Sequence, residues 1–293
     1  MRLAIVIPAH NEAKTIGRIV RSALEQVDPV VVIDDGSTDP TPALASDAGA
    51  VVISHTGRLG YGAALRSGFS WAEQQRLDAV ICMDADGAHD PVDAARLATL
   101  LREENADIIL GSRFLDTSVR KNMPSGKVFA NRFATSLITA LGASTITDAA
   151  TGYRALRRRV FSHDFASKTF GIAYEMILVA SFRGWIIGEA PIAVRYNAEE
   201  LLVTTAPELL DLLQAVLAHS STEMLPNLER VVEKARSLEP FSACLVDGDN
   251  QIVIIAHPLK DVDGYVFQLQ DDFFLHGGDR SSVDITLSGR TGL

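Results

Sequence analysis

Short apolar runs alternate with longer amphipathic stretches through residues 2–110. The runs Leu3–Ile7, Val30–Ile33, Ala50–Ile53, Ala79–Met83 and Asp107–Leu110 are continuously apolar apart from the Asp107 that opens the last, as strands covered on both faces require. Between them, Glu12–Gln26, Thr41–Ala48, Tyr61–Gln75 and Pro91–Glu103 carry apolar residues at helical spacing. Strand and helix in regular alternation predict a doubly wound, mostly parallel α/β sheet. Farther along, Gly126–Leu141 and Ala173–Phe182 read as helices and Glu189–Val194 as a strand, with the segment Asp148–Arg154 between the two helices.

The pattern changes near residue 199. Two amphipathic helices are predicted at Pro207–His219 and Leu225–Leu238, followed by a β-rich stretch over Phe241–Leu287. Phe241–Val246 and Gln251–Ala256 flank Asp247-Gly248-Asp249-Asn250, a good hairpin turn, and Tyr265–Leu269 and Val283–Leu287 read as further strands. The chain thus divides into a domain over 1–198 and a small α+β appendage over 199–293. Apolar runs such as Ile252–Ala256 need cover and open sheet edges invite pairing, so the appendage is expected to pack on the larger domain or in a homodimer.

Composition narrows the class. At 47% hydrophobic, 293 residues can bury a sizeable core. The opening residues read as a strand, not a leader, and no apolar run approaches the roughly 20 residues of a membrane helix. Cys82 and Cys244 lie in apolar runs and read as buried, reduced thiols. A cytoplasmic location, or one peripheral to a membrane, is expected. Residues 199–293 hold 16 acidic and 6 basic side chains, the whole of the net charge of −10. An acidic appendage disfavours nucleic acid as a partner.

Ligands on such sheets bind beyond the carboxyl ends of the strands, and polar residues gather there. Ala9-His10-Asn11-Glu12, Asp34-Asp35-Gly36-Ser37, Asp84-Ala85-Asp86 and Gly111-Ser112-Arg113 each follow a predicted strand. Two carboxylates one residue apart, Asp84 and Asp86, suit a hard cation such as Mg²⁺ or Mn²⁺ whose shell a substrate phosphate completes. The alternative is a solvated turn ahead of the helix that Asp90-Pro91 opens. Asp34 and Asp35 can meet a nucleoside or make an Asx-type turn. In Gly57-Arg58-Leu59-Gly60-Tyr61-Gly62, glycines allow close approach of backbone to a phosphate or ribose, and a helix start favours anions. Because the first strand does not lead into a glycine turn, a dinucleotide-dependent dehydrogenase is disfavoured.

Taken in order, these motifs resemble the family 2 glycosyltransferases of the GT-A (nucleotide-diphospho-sugar transferase) fold, especially the dolichol- or polyprenol-phosphate sugar transferase branch. The resemblance covers residues 2–197 and extends to Ala130-Asn131-Arg132-Phe133 and Thr147-Asp148-Ala149-Ala150-Thr151-Gly152-Tyr153-Arg154. It implies that Pro8, Ala9, Asn11, Glu12, Asp34, Asp35, Gly60, Asp84 and Ala85 line a nucleotide-sugar site, with Asp84 and Asp86 on a divalent cation. It also implies that Arg113, Lys127, Arg132, Arg154 and Glu175 face acceptor or phosphate, and that Asp86, Asp148, Arg113 and Arg154 serve catalysis. Asp148 would be a general base toward a hydroxyl acceptor, or would orient an arginine toward a phosphate. The four cations could instead form surface salt bridges, and Glu175 a surface charge.

Three departures bear on the acceptor, which the resemblance leaves as a polyprenyl phosphate or a soluble molecule. Ala88 stands where relatives often carry a polar group, leaving water and His89 to complete a metal shell. Tyr196-Asn197-Ala198-Glu199-Glu200 lacks the usual lysine. An acidic appendage replaces membrane helices. Two further readings stay open: a nucleotidyltransferase, which the missing glycine-rich, lysine-bearing first loop disfavours, and a degenerate transferase-like binding protein.

Overall fold

A computed structural model describes residues 1–116, 123, 128, 131–132, 134–135, 138–139 and 145–194, and four strands near the C-terminus. The chain divides into two compact units, Met1–Ile138 with Ala143–His219 and Thr139–Gly142 with Ser220–Leu293. The predicted boundary near residue 199, the helices Pro207–His219 and Leu225–Leu238, and most of the predicted helix Gly126–Leu141 lie outside the described residues.

In the first unit, β1 (Leu3–Ala9), β2 (Val30–Asp34), β3 (Val51–Ser54), β4 (Ala79–Cys82), β5 (Ile108–Ser112), β6 (Arg154–Arg157) and β7 (Ile187–Pro191) form one sheet in the order β3-β2-β1-β4-β6-β5-β7. All neighbours are parallel except β6, which runs antiparallel between β4 and β5. The mostly parallel α/β fold is the one the strand pattern predicts. The unpredicted element is β6, which occupies the end of the segment Asp148–Arg154 and continues past it. The strand predicted at Glu189–Val194 begins earlier, at Ile187.

Helices α1 (Ile16–Leu24), α2 (Thr41–Asp47), α3 (Tyr61–Gln74) and α4 (Asp93–Glu103) follow the first four strands. Each turns a narrow apolar stripe to the sheet, as amphipathic spacing dictates. Ile16, Ile19, Val20 and Ala23 of α1 and Leu97 and Leu101 of α4 share a core with Ile5, Ile7, Val30, Val32 and Ile81. The other sheet face takes α3, whose Gly68 lies against Val6 and Ile33. After β6 come the one-turn α5 (Arg158–Phe161) and α6 (Gly171–Phe182), the latter buried on all sides from Gly171 to Ala180. Among the described residues no helix is long and apolar enough to cross a membrane.

In the second unit, β8 (Cys244–Asp247), β9 (Ile252–Ile255), β10 (Tyr265–Leu269) and β11 (Ile285–Gly289) form an antiparallel meander. β8 and β9 pair antiparallel with Asp247 opposite Ile252, and the predicted turn between them lies outside the described residues.

Gly68 tests the packing of α3. Alanine in a helix interior is favoured over glycine by about 1 kcal/mol, whereas overpacking a core costs about 1–3 kcal/mol. A Cβ at Gly68 would overlap the Val6 side chain, itself wholly buried. Gly68→Ala is therefore expected to lower the unfolding free energy by about 1 kcal/mol or more in urea titrations. An unchanged or raised midpoint would mean that β1 and α3 leave room for a methyl group.

Candidate active site

The parallel strands deliver their carboxyl ends to one rim. Strand β1 ends at Ala9, whose carbonyl accepts from the Asp35 N–H at 2.8 Å. Asp34 at the end of β2 makes the local turn, its Oδ1 accepting from the Ser37 N–H at 3.1 Å. Asp35 points elsewhere. Its Oδ1 accepts from His55 Nδ1 at 2.8 Å and from the Leu59 N–H at 2.8 Å, and its Oδ2 from the Gly60 N–H at 2.8 Å. Burial raises the Asp35 pKa, but these three bonds outweigh it and hold the carboxyl below its ordinary value. His55 Nε2 faces Ser67 Oγ of α3 at 2.9 Å, so the Asp35 carboxylate is braced from two elements. Gly60, at φ 103°, lies so close to the Lys168 carbonyl that no Cβ fits.

The β1 loop closes over this arrangement. Asn11 adopts φ 59°, donates its N–H to Ser37 Oγ at 2.9 Å and accepts from the Thr38 N–H at 2.8 Å. Pro8 is buried in β1. The Thr15 hydroxyl stands 2.7 Å from the Ala85 carbonyl and 3.1 Å from Glu12 Oε2, which ties the β1 loop to the β4 loop. Glu12 has its pKa raised, first by burial and then by the charges of Asp86, Asp39 and Asp84, against the hydrogen bond from Thr15. Four carboxylates therefore share one electrostatic environment.

Asp84 Oδ1 accepts from the Tyr61 hydroxyl at 3.0 Å, and its carboxylate rests against Gly152, where a Cβ would overlap it. Asp86 Oδ1 accepts from the Ala88 N–H at 2.8 Å, so this carboxylate also shapes its own loop. His89 lies beneath, its Nδ1 accepting from the Asp84 N–H at 3.5 Å and its ring stacked on Tyr153 at 5.0 Å. Burial lowers the His89 pKa to about 4, so the ring is neutral at pH 7. Among the described residues no group of three or more His, Cys, Asp or Glu side chains could hold a metal ion. Oxygen donors on Asp84 and Asp86, with the carboxylates of Glu12 and Asp39 in the same environment, fit a hard divalent cation that draws further ligands from a diphosphate and water.

On the far side of Gly152, Arg113 follows β5 and grips Asp148 through Nε to Oδ2 at 2.7 Å and Nη2 to Oδ1 at 2.8 Å. The Arg113 N–H adds a third bond to Asp148 Oδ2 at 3.0 Å. Asp148 has no exposed surface. Asn131 pins the same turn, Nδ2 donating to the Thr147 carbonyl at 2.9 Å and Oδ1 accepting from the Ala150 N–H at 3.1 Å.

Residues 4–165 match the family described as Glycosyl transferase family 2. The chain belongs to that family. An uncharacterized protein of Methanocaldococcus jannaschii is 34% identical over 203 residues, 66% of this chain and 81% of its own. The polyprenol monophosphomannose synthase of Mycolicibacterium smegmatis is 32% identical over 204 residues, 65% of this chain and 76% of that protein. The chain also shares the fold of Mycobacterium tuberculosis glucosyl-3-phosphoglycerate synthase bound to UDP, with a TM-score of 0.59 at 22% identity over 75% of this chain and 82% of that one. That synthase has also been crystallised with Mn²⁺ and with Mg²⁺.

This family 2 glycosyltransferase corrects two expectations about individual side chains. Arg154 does not face a phosphate at the rim. It is 2% exposed and points inward, donating to the carbonyls of Thr151 at 2.8 Å, Ala173 at 2.5 Å and Ala149 at 2.9 Å. Glu175 is neither an acceptor ligand at the rim nor a surface charge. It is buried in α6, and its two oxygens accept from the Ala166 and Ser167 N–H groups at 2.8 and 2.9 Å. Arg132 is exposed, and Lys127 lies outside the described residues. Sequence reasoning missed His55 and Glu189 and gave Asn131 a place in a motif but no role, each a polar residue bonded to a turn remote in the chain.

His89 gives the site a pH signature. Its pKa is lower in the folded protein than the ordinary 6.5, so the unfolded chain takes up a proton first as pH falls. Stability from this residue is complete above pH 6.5 and is lost toward pH 4, at about 1.4 kcal/mol per unit of pKa difference. His89→Gln is expected to flatten the fall in unfolding free energy between pH 6.5 and 4 relative to wild type. Parallel curves for the two proteins in denaturant would refute a buried neutral imidazole.

Proposed function

We propose that this transferase moves a hexose from a nucleoside diphosphate-sugar to the phosphate of a polyprenyl phosphate, with inversion at the anomeric carbon. The observation that carries the acceptor is the Arg113–Asp148 pair. Both oxygens of the wholly buried Asp148 are already taken, Oδ1 by Arg113 Nη2 and the Ala150 N–H and Oδ2 by Arg113 Nε and its N–H, which suits a carboxylate that orients an arginine. An acceptor phosphate is already ionised at neutral pH and needs no general base, whereas a hydroxyl acceptor would need one. The name of the M. smegmatis relative supports the same choice. Association with a membrane is then peripheral, through the lipid acceptor.

Asp35, braced by His55 and the 59–60 backbone, meets the nucleoside together with Asn11 and the β1 loop. Asp84 and Asp86 would hold Mg²⁺ or Mn²⁺, which when bound would supply charge neutralisation for the departing diphosphate. Arg113 positions the acceptor phosphate, one of whose oxygens attacks the anomeric carbon from the face opposite the leaving group. The bond from that carbon to the diphosphate oxygen breaks, and nucleoside diphosphate and glycosyl phosphate lipid leave. Charge placement and orientation supply the rate, with no covalent enzyme intermediate.

Transfer of radiolabelled sugar to undecaprenyl phosphate in detergent, over a panel of nucleotide sugars with Mn²⁺, tests this reading. Wild-type protein is expected to turn over with one donor class. Asp86→Ala is expected to lose about 10³-fold or more in kcat and its response to Mn²⁺ while staying folded. Full activity of a folded Asp86→Ala protein would sink the mechanism, and transfer only to water-soluble phosphate esters would overturn the lipid acceptor.

A further inference from the structure

We propose that Glu189 is a positioning residue for the transfer, holding the Arg113–Asp148 pair in place from behind. It rests on the reading of Arg113 as the acceptor-phosphate cation. Glu189 lies on β7, opposite Leu110 of β5, so the strand register brings its side chain beneath the β5 end that carries Arg113. Both of its oxygens accept from the Thr147 N–H at 2.9 Å. Oε1 also takes the Thr147 hydroxyl at 3.0 Å and the Asp148 N–H at 3.1 Å. Thr147 Oγ1 in turn stands 2.6 Å from Ser112 Oγ, the residue before Arg113. From β7 to Arg113 the bonds run unbroken through two successive peptide N–H groups and the Asp148 carboxylate.

The chemistry favours a carboxylate at this point. Only acceptor atoms suit a place where two peptide N–H groups and a hydroxyl converge, and an amide would turn its NH₂ toward a donor. Glu189 is held there against an electrostatic cost. Burial raises its pKa, and the neighbouring Asp148 charge adds to the rise, against the hydrogen bonds that lower it. Two carboxylates stacked behind one arginine are a poor choice for stability alone. They suit an arginine whose orientation matters, because the second fixes the backbone from which the first reaches.

A double-mutant cycle decides the point, with Glu189→Gln as the variant least able to disturb the fold and Glu189→Ala as the harsher one. Glu189→Gln is expected to raise KM for undecaprenyl phosphate about tenfold while donor KM stays within about twofold, and to add nothing in an Arg113→Ala background. Three outcomes would overturn the proposal: an unchanged acceptor KM in both variants, an equal loss toward donor and acceptor, or an undiminished effect in the Arg113→Ala background. If the wild-type enzyme ignores undecaprenyl phosphate and glycosylates a soluble phosphate ester, the lipid reading fails. The same cycle on that ester still decides the role of Glu189.

Discussion

The guanidinium of Arg154 is a cation inside an α/β core, and the geometry of the rim depends on where it bonds. It begins β6, the one antiparallel strand of the large sheet, beside Cys82 of β4 and Leu110 of β5. A strand running against its neighbours must be entered from the rim where they end, so residues 145–153 arrive among the strand-end loops. Arg154 then fastens that turn from inside through the carbonyls of Ala149 and Thr151, and joins it to α6 through Ala173. Burial lowers the Arg154 pKa, but three carbonyl oxygens replace part of the lost water. Leaving such a carbonyl unpartnered costs roughly 1–3 kcal/mol, which makes the bonds hard to exchange.

One turn consequently serves both halves of the site. Gly152 lies against the Asp84 carboxylate, where any side chain would collide with it, while Asp148, four residues earlier, holds Arg113. One half gathers negative charge on Glu12, Asp39, Asp84 and Asp86, and the other offers a braced arginine. A divalent cation and a phosphate are the complements of these two halves.

How much of this is legible in the sequence follows from the range of each interaction. The central parallel strands β1, β2, β4 and β5 are readable because burial on both faces makes them nearly continuous apolar runs. The strand-end loops are readable because strand direction alone sends polar residues to one rim. Strand β6 is not readable, since Arg154-Ala155-Leu156-Arg157 is short and charged at both ends, and only its position between β4 and β5 makes it a strand. Arg154 and Glu175 mislead for a related reason. A charged side chain near a motif suggests a ligand, yet its direction is set by carbonyls and N–H groups distant in the chain. His55 and Glu189 carry no local signal at all, because each gains its role from a turn that only the tertiary fold brings near.

The measurement that tests most directly whether the rim is built from inside is the paired stability and binding of Arg154→Lys. A lysine cannot reproduce a planar grip on three carbonyls. Arg154→Lys is expected to lose about 3 kcal/mol or more in unfolding free energy, with weaker binding of both the nucleoside diphosphate with Mn²⁺ and the acceptor. Unchanged stability with a selective loss of acceptor binding would contradict it, and would return Arg154 to the rim as a phosphate ligand.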